Sequence, residues 1–330
     1  MPPRTVLAAD VGGTHTRLGL YGQAEGVLQP LQISEVASRS QATLEQLLQA
    51  FVRDAGAPSL AGACIALAGP VVDDAVVMTN LPWRVDAATL AAALTLPRVR
   101  LVNDLEAAAL GMLDLPPDAF AVLQPGTREF YAGHVAVVAA GTGFGEAVLV
   151  WDGQRHHPAA TEAGHASYAP RDDHDLARWQ WLRRRHGHVS LERVLSGPGL
   201  AATYAWLREQ SGEPEPVALR QRIAAGDPSA TIAETALRGE DPVCNDALAC
   251  FVQDYGAAAG DAALRHFALG GVVLAGGIAP KILPALERPA FLEAFRAKGR
   301  FEALLTSLRV SVCLAPNPAL AGAAQLALRS

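Results

Sequence analysis

From Leu7 to Leu20 the chain runs up an apolar segment to Asp10, turns over Gly12 and Gly13, and comes back as a second strand. The return alternates Thr16, Leu18 and Leu20 with Arg17, Gly19 and Tyr21, a period of two that belongs to a strand and not to a helix. This predicts a β-hairpin whose tip carries an acid and bare backbone amides. Without a Cβ, Gly12 and Gly13 let main-chain N–H groups point at an anion, and Asp10 at the strand end is placed to hold a hydrated Mg²⁺ beside a phosphate. Two other phosphate loops are excluded. The dinucleotide fingerprint needs spaced glycines opening a helix, and a Walker loop needs Gly-Lys-Ser/Thr, whereas the first lysine here is Lys281. Gly-Gly also closes many ordinary hairpins, so this turn alone does not decide between phosphate binding and a plain turn.

Repetition adds to it. Val135–Ala140 reads as a strand, Gly141-Thr142-Gly143-Phe144-Gly145 as a glycine turn, and Glu146–Trp151 as a strand again. Two such units suggest two similar halves facing each other across a cleft, each offering amides to one end of a polyphosphate. A third glycine element follows the strand Val272–Ala275, where Gly276-Gly277 leads toward a helix around Ile282 and allows a planar group or phosphate to come close.

The 330 residues suggest two domains, and with half of them apolar and 18% charged the chain has the balance of a globular protein. A net charge of −6 gives no footprint for nucleic acid or an anionic membrane, and Arg183–Arg185 reads as a solvated helix face. Four scattered cysteines form neither a zinc knuckle nor a disulfide framework. No stretch is long enough to span a bilayer, and the N-terminus runs directly into a strand, so a soluble, cytoplasmic protein is expected.

Along the chain, residues up to about Val36 read as irregular strand or loop, Ser40–Ala55 as a helix closed by Gly56, Ala61–Ala68 as a buried strand, and Ala75–Asn80 as another. Ala87–Leu94 reads as a helix, Val99–Val102 as a strand stopping at Asn103-Asp104, and Leu105–Met112 as a helix. Alternating strands and helices define an α/β domain that ends near residue 114, where Pro116-Pro117 stiffen the connection. Glu240–His266 reads as a long helix with small residues at 256–260 suited to tight packing, and an Ala/Leu-rich helix after Pro318 returns to the first domain. The expected division is 1–114 with 317–330, and 115–316.

Asp104 is the candidate catalytic acid. It ends a buried strand and opens a helix, at the sheet edge where α/β proteins bind ligands, and phosphoryl transfer to an alcohol needs a carboxylate to accept the hydroxyl proton. The competing role is a simple helix cap. Glu162 and His165 offer a carboxylate and an imidazole three residues apart, able to grip sugar hydroxyls but too few for a metal site. Glu192 is either a further hydroxyl ligand or a surface acid. His156, His157, His186 and His188 read as surface residues, and Ser196 lacks the surroundings of a hydrolase nucleophile.

Six motifs occur in order: Asp10-Val11-Gly12-Gly13-Thr14, Leu101-Val102-Asn103-Asp104-Leu105-Glu106-Ala107, Ala140-Gly141-Thr142-Gly143-Phe144-Gly145, Glu162-Ala163-Gly164-His165, Glu192–Gly199 and Leu274-Ala275-Gly276-Gly277-Ile278. Together they resemble the bacterial glucokinases of the hexokinase/actin-like ATPase superfamily, from Asp10 to about Asn317. The resemblance implies two actin-like (ribonuclease H-like) α/β domains, with ATP and glucose meeting in an inter-domain cleft that closes on the sugar. It implies Asp104 as the base acting on the 6-hydroxyl, and Asn103, Asp104, Glu162, His165 and Glu192 as sugar ligands. The nucleotide side would comprise Ala9, Asp10, Val11, Gly12, Gly13, Thr14, Gly141, Thr142, Gly143, Gly276 and Gly277, with Mg²⁺ held through water by Asp10. A cytoplasmic homodimer is implied too. Two positions depart from the family pattern: His15 stands where Asn is usual, and Ala163 where Gly is usual. Both bear on substrate preference more than on reaction type. The alternatives are a kinase for another hexose or amino sugar on the same scaffold, and a sugar-binding sensor without turnover. Retention of Asp104 and Asp10 argues against the sensor.

Overall fold

The computed structural model describes residues 4–24, 27–78 and 81–329. They form two compact α/β units: Met1–Pro116 with His157–Ala160 and Ala315–Ser330, and Pro117–His156 with Thr161–Leu314.

The smaller unit contains strands β1 (Arg4–Val11), β2 (His15–Ala24) and β3 (Val27–Ala37), helix α1 (Leu44–Asp54), strands β4 (Leu60–Leu67), β5 (Ala75–Val77) and β6 (Arg84–Asp86), helix α2 (Ala87–Leu94), strand β7 (Arg100–Asn103) and helix α3 (Asp104–Gly111). Its main sheet has the order β3-β2-β1-β4-β7. The first three strands form an antiparallel meander, and β4 and β7 continue parallel to β1. One face of the β1/β4 pair, with Leu7, Ala9, Val11, Ile65 and Leu67, packs in a core with Leu44, Leu47, Leu48 and Phe51 of α1. Both faces are covered, so β1 and β4 read as continuous apolar runs and not as alternating ones.

The larger unit follows with β8 (Phe120–Gln124), β9 (Val135–Ala140), β10 (Phe144–Trp151), the two ends of β11 (His156–Thr161, whose residues 157–160 are grouped with the smaller unit), α4 (Asp173–His186), α5 (Gly197–Ser211), α6 (Val217–Ala225), α7 (Pro228–Leu237), α8 (Pro242–Arg265), β12 (Val272–Ala275), α9 (Leu283–Leu286), α10 (Pro289–Arg296), α11 (Glu302–Ser307) and β13 (Val310–Cys313). The sheet order is β11-β10-β9-β12-β13-β8. Strands β9 and β10 form an antiparallel hairpin, and β12 and β13 continue parallel to β9. This is the arrangement around β1 repeated, as the two glycine hairpins in the sequence predict. Helix α8 is buried along most of its length and packs against α5, α7 and α10.

The chain then enters α12 (Pro318–Leu328), which packs on β1, β4 and α3 of the smaller unit. Gly111 and Gly322 let α3 and α12 cross with backbones in contact. A Cβ on Gly111 would run into the Pro318 carbonyl, and one on Gly322 into that of Ala107.

One expectation is narrowed and two need correction. Of the two readings for the region up to Val36, strand or loop, the structure has the strand: residues 27–37 pair along β2, with a register shift at Leu20/Tyr21. The helix expected from Ser40 begins at Leu44, since Thr43 caps it by accepting from the Gln46 amide at 3.3 Å. The segment around Ile282 yields only the four-residue α9, with Pro284 in its first turn. Of the strand expected over Ala75–Asn80, Thr79 and Asn80 lie outside the described residues.

Candidate active site

In the smaller unit the parallel strands end together. Val11 is in register with Leu67, and Leu67 with Asn103, so the residues that follow β1 and β7 lie along one carboxyl edge. Two strand spacings separate Val11 from Asn103, about 10 Å. Asp10 and Asp104 therefore belong to the same edge, with β4 between their strands.

The β1/β2 turn is closed by its own main chain: the Gly12 amide donates to the His15 carbonyl at 3.0 Å. That amide, expected to point at an anion, is spent on the turn itself. Ser38 latches the tip from β3's end, its hydroxyl donating to the Gly12 carbonyl (2.7 Å) and its amide to the Thr14 carbonyl (2.9 Å). Thr16 Oγ1 lies 2.9 Å from the same hydroxyl, and both side chains are buried. Asp10 is mostly buried, and burial pushes its carboxyl above the usual carboxylate range, partly opposed by Arg17 across the hairpin at 3.7 Å. A carboxylate that is buried and only loosely paired is suited to receiving a cation, so the residues present fit Mg²⁺ held through water.

The cap of α3 is Asn103 and not Asp104. Its Oδ1 accepts from the Leu105 amide (2.9 Å) and the Glu106 amide (3.4 Å), and its Nδ2 donates to the Gly69 carbonyl (3.3 Å). Asp104 is the first helical residue, half-buried, with Oδ1 accepting from the Leu105 amide at 2.7 Å.

In the larger unit the second glycine turn follows β9. The Gly141 amide donates to the Gly143 carbonyl (2.8 Å), and the Gly141 carbonyl accepts from the Gly197 amide at the start of α5 (2.9 Å). Thr142 at the tip is exposed. Glu192 sits against this turn, its Oε2 accepting from the Phe144 amide at 3.1 Å. Ser196, the cap of α5, donates its hydroxyl to the Glu192 carbonyl at 2.7 Å and so fixes that residue's backbone. Gly276, after β12, has φ +80°, and a Cβ there would strike the Ala140 carbonyl at the end of β9. Gly277 beside it faces open space. The register Ala139–Ala275 brings Gly141–Gly143 and Gly276-Gly277 to neighbouring strand ends.

Glu162 and His165 lie on a short, exposed turn with Glu162 Oε2 and His165 Nε2 3.8 Å apart. The His188 ring is 3.0 Å from the His165 carbonyl. His156, expected at the surface, is buried among Tyr131 and Trp151 with Nε2 on the Gly133 carbonyl at 3.0 Å. Sequence reasoning also missed Ser38 and Arg17. The hairpin register contained a signal for Arg17, because a turn over residues 12–14 sets it opposite Asp10; nothing local marks Ser38.

A family model for glucokinase matches residues 7–330. The chain belongs to the glucokinase family. A glucokinase from Synechocystis is 36% identical, over 98% of this chain and 98% of its own. The crystal structure of a glucokinase from an Antarctic psychrotroph superposes with a TM-score of 0.86 at 31% identity, covering 99% of each chain. A ROK family glucokinase from Streptomyces griseus, solved in complex with glucose and AMPPNP, has a TM-score of 0.59 at 24% identity, covers 99% of this chain and 100% of its own, and shows the shared fold. The chain is thus a sugar kinase of the glucokinase family, with the two-domain actin-like fold. At neither His15 nor Ala163, the two positions singled out in the sequence, does the backbone demand a particular side chain. His15 closes the first turn through its carbonyl, which any residue supplies, and its side chain is exposed. Ala163 is not among the residues with positive φ, so its backbone does not require glycine.

Proposed function

We propose that this chain transfers the γ-phosphoryl group of ATP to the 6-hydroxyl of glucose, with Asp104 as general base. The observation that carries the reading is the shared carboxyl edge of Asp10 and Asp104, set by the Val11–Leu67–Asn103 register in a chain of the glucokinase family. Asp104 would take the proton as the sugar oxygen bonds to the γ-phosphorus and the bond to the β–γ bridging oxygen breaks. Asn103 holds α3 in place through its cap and presents the residue after it. Glu162, His165 and Glu192 would bind sugar hydroxyls; Glu192 keeps Oε1 without a partner among the described residues. Gly141–Gly143 and Gly276-Gly277 would lie against the nucleotide, and Ala9–Thr14 against its phosphates. Asp10 would hold Mg²⁺ through water; when bound, the ion neutralises charge on the phosphate oxygens. The resemblance adds a homodimer in the cytoplasm, and sedimentation of the purified chain tests the former.

The test is ADP release with Mg-ATP across glucose, mannose, fructose, N-acetylglucosamine and no sugar, and with EDTA. Turnover with glucose well above the rest, lost on chelation, supports the reading. Preference for another sugar moves the substrate and keeps the mechanism. Sugar binding by calorimetry without ADP release overturns the enzymatic assignment.

A further inference from the structure

The segments carrying the candidate sugar ligands of the larger unit are held together two residues away from the ligands themselves. The Leu191 amide donates to the Ala166 carbonyl (3.0 Å) and the Tyr168 amide to the Val189 carbonyl (2.9 Å), while Ser167 and Ser190 form an antiparallel bridge. Glu162 and His165 thus precede the bridge on one side and Glu192 follows it on the other. Most of the first segment is exposed: His165, Ala166, Ser167 and Ala169 all face solvent. Val189 and Ser190 of the second segment are buried, so the bridge sets the register of an exposed segment against a packed one, and the first segment still needs an anchor of its own.

Tyr168 supplies that anchor. Its ring is buried, its hydroxyl donates to Asp254 Oδ1 on α8 at 2.9 Å, and the same hydroxyl accepts from Arg178 Nη2 on α4 at 2.7 Å. Arg178 and Asp254 have side chains with no exposed surface, and their closest approach is 2.8 Å. Arg171, three residues on, donates to Asp254 Oδ1 (2.8 Å) and to Asp175 Oδ2 (2.8 Å). Arg178, Asp175 and Asp254 are thereby packed inside the helical layer around one phenol, with Arg171 closing the cluster from its exposed side. Desolvating such groups is expensive, and well-packed apolar side chains often give equal or greater stability. A cluster of this kind is better explained by what it holds in place.

We propose that Tyr168 is a positioning residue for the sugar: through Asp254 and Arg178 it fixes the bridged segments 162–168 and 189–192, and with them the geometry of the sugar ligands. This rests on the assignment of Glu162, His165 and Glu192 to sugar binding. The variant Tyr168→Phe keeps the ring and removes both hydroxyl bonds. It should raise the KM for glucose about tenfold while leaving kcat and the KM for ATP within about twofold. Arg171→Ala, on the exposed side of the same cluster, should raise the glucose KM less, and Arg171→Lys should recover part of the loss. Phe295→Leu, in the core of the same unit and away from the bridge, controls for stability alone: it should lower the melting temperature with the glucose KM unchanged. An unchanged glucose KM in Tyr168→Phe, or an equal rise in Phe295→Leu, overturns the proposal. If Tyr168→Phe does not fold, the Arg171 pair decides the question in the same way, and no rise with Arg171→Ala counts against the proposal. Wild-type protein that releases no ADP with glucose refutes the proposed function separately. Glucose affinity by calorimetry then takes the place of KM, and wild type binding no sugar overturns both.

Discussion

The two glycine hairpins begin from the same pattern and are finished differently. At the first, the turn closes on its own carbonyl and is latched by Ser38, and the nearby Asp10 is buried with a loosely placed partner. At the second, two distant segments wall the turn: residues 192–197, with Glu192 on Phe144 and Gly197 on Gly141, and Gly276 against Ala140. The carboxylate beside it, Glu146 on β10, is also buried but held firmly by Arg265 (2.5 Å) and His266 (2.7 Å). One hairpin keeps a carboxylate whose burial is only partly offset by Arg17, a state useful for charge chemistry. The other spends its carboxylate on structure and gathers ligand groups around the turn. The proposal accordingly draws chemistry from the smaller unit and binding from the larger, and substitutions should separate along that line.

The largest effect belongs to the smaller unit. Asp104→Ala should lower kcat by about 10²–10⁴ while glucose affinity stays within about tenfold, measured by steady-state kinetics and calorimetry. Near-normal kcat would remove Asp104 from the mechanism. In the larger unit, Glu162→Gln should instead raise the glucose KM by about tenfold with kcat little changed, and a fall in kcat alone would blur the division. Gly276→Ala should raise the KM for ATP and lower the melting temperature, because the new Cβ meets backbone at a positive φ; the cost is about 1–3 kcal/mol.

Smaller effects concern pH. Burial would push Glu146 up, but hydrogen bonds from His266 and Arg265 outweigh it and hold the carboxyl below its ordinary 4.5. A depressed folded-state pKa contributes stability above the unfolded value that is lost as pH falls through the folded one, so Glu146→Gln should flatten the loss of stability below about pH 4.5. Asp10 has the opposite sign. Its raised pKa means that ionisation destabilises the ligand-free fold at neutral pH, so Asp10→Asn should raise the melting temperature while lowering turnover. A lower melting temperature would show that Arg17 compensates the burial after all. Smallest of all, Ala163→Gly should leave the glucose KM within about twofold, since no glycine conformation is in use there.

What the sequence made legible was local. A period-two run after Gly-Gly marks the first hairpin and strand runs on both sides of Gly-Thr-Gly mark the second, while apolar runs stopping at Asn103 and Ala275 mark parallel strands. What it hid came from pairing at long range. The strand over residues 27–37 lacks clean alternation because it lies on the sheet's edge, with Leu31 and Ile33 exposed. His156 looks polar on paper and is buried because Trp151 and Tyr131 surround it. Ser38, Tyr168 and Asp254 carry no motif; their roles exist only once distant elements meet. Asn103, an expected sugar ligand, also caps α3, a duty that helix-start rules favour for Asn at that position.

The glycine contact between α3 and α12 has a consequence for biosynthesis. The helix that opens with Asp104 leans on a segment translated after the whole larger unit, so strands β1 and β4 emerge long before the helix that covers one of their faces. During synthesis at roughly 5–20 residues per second, the smaller unit would wait half-built, its apolar sheet face open to chaperones, while the larger one folds.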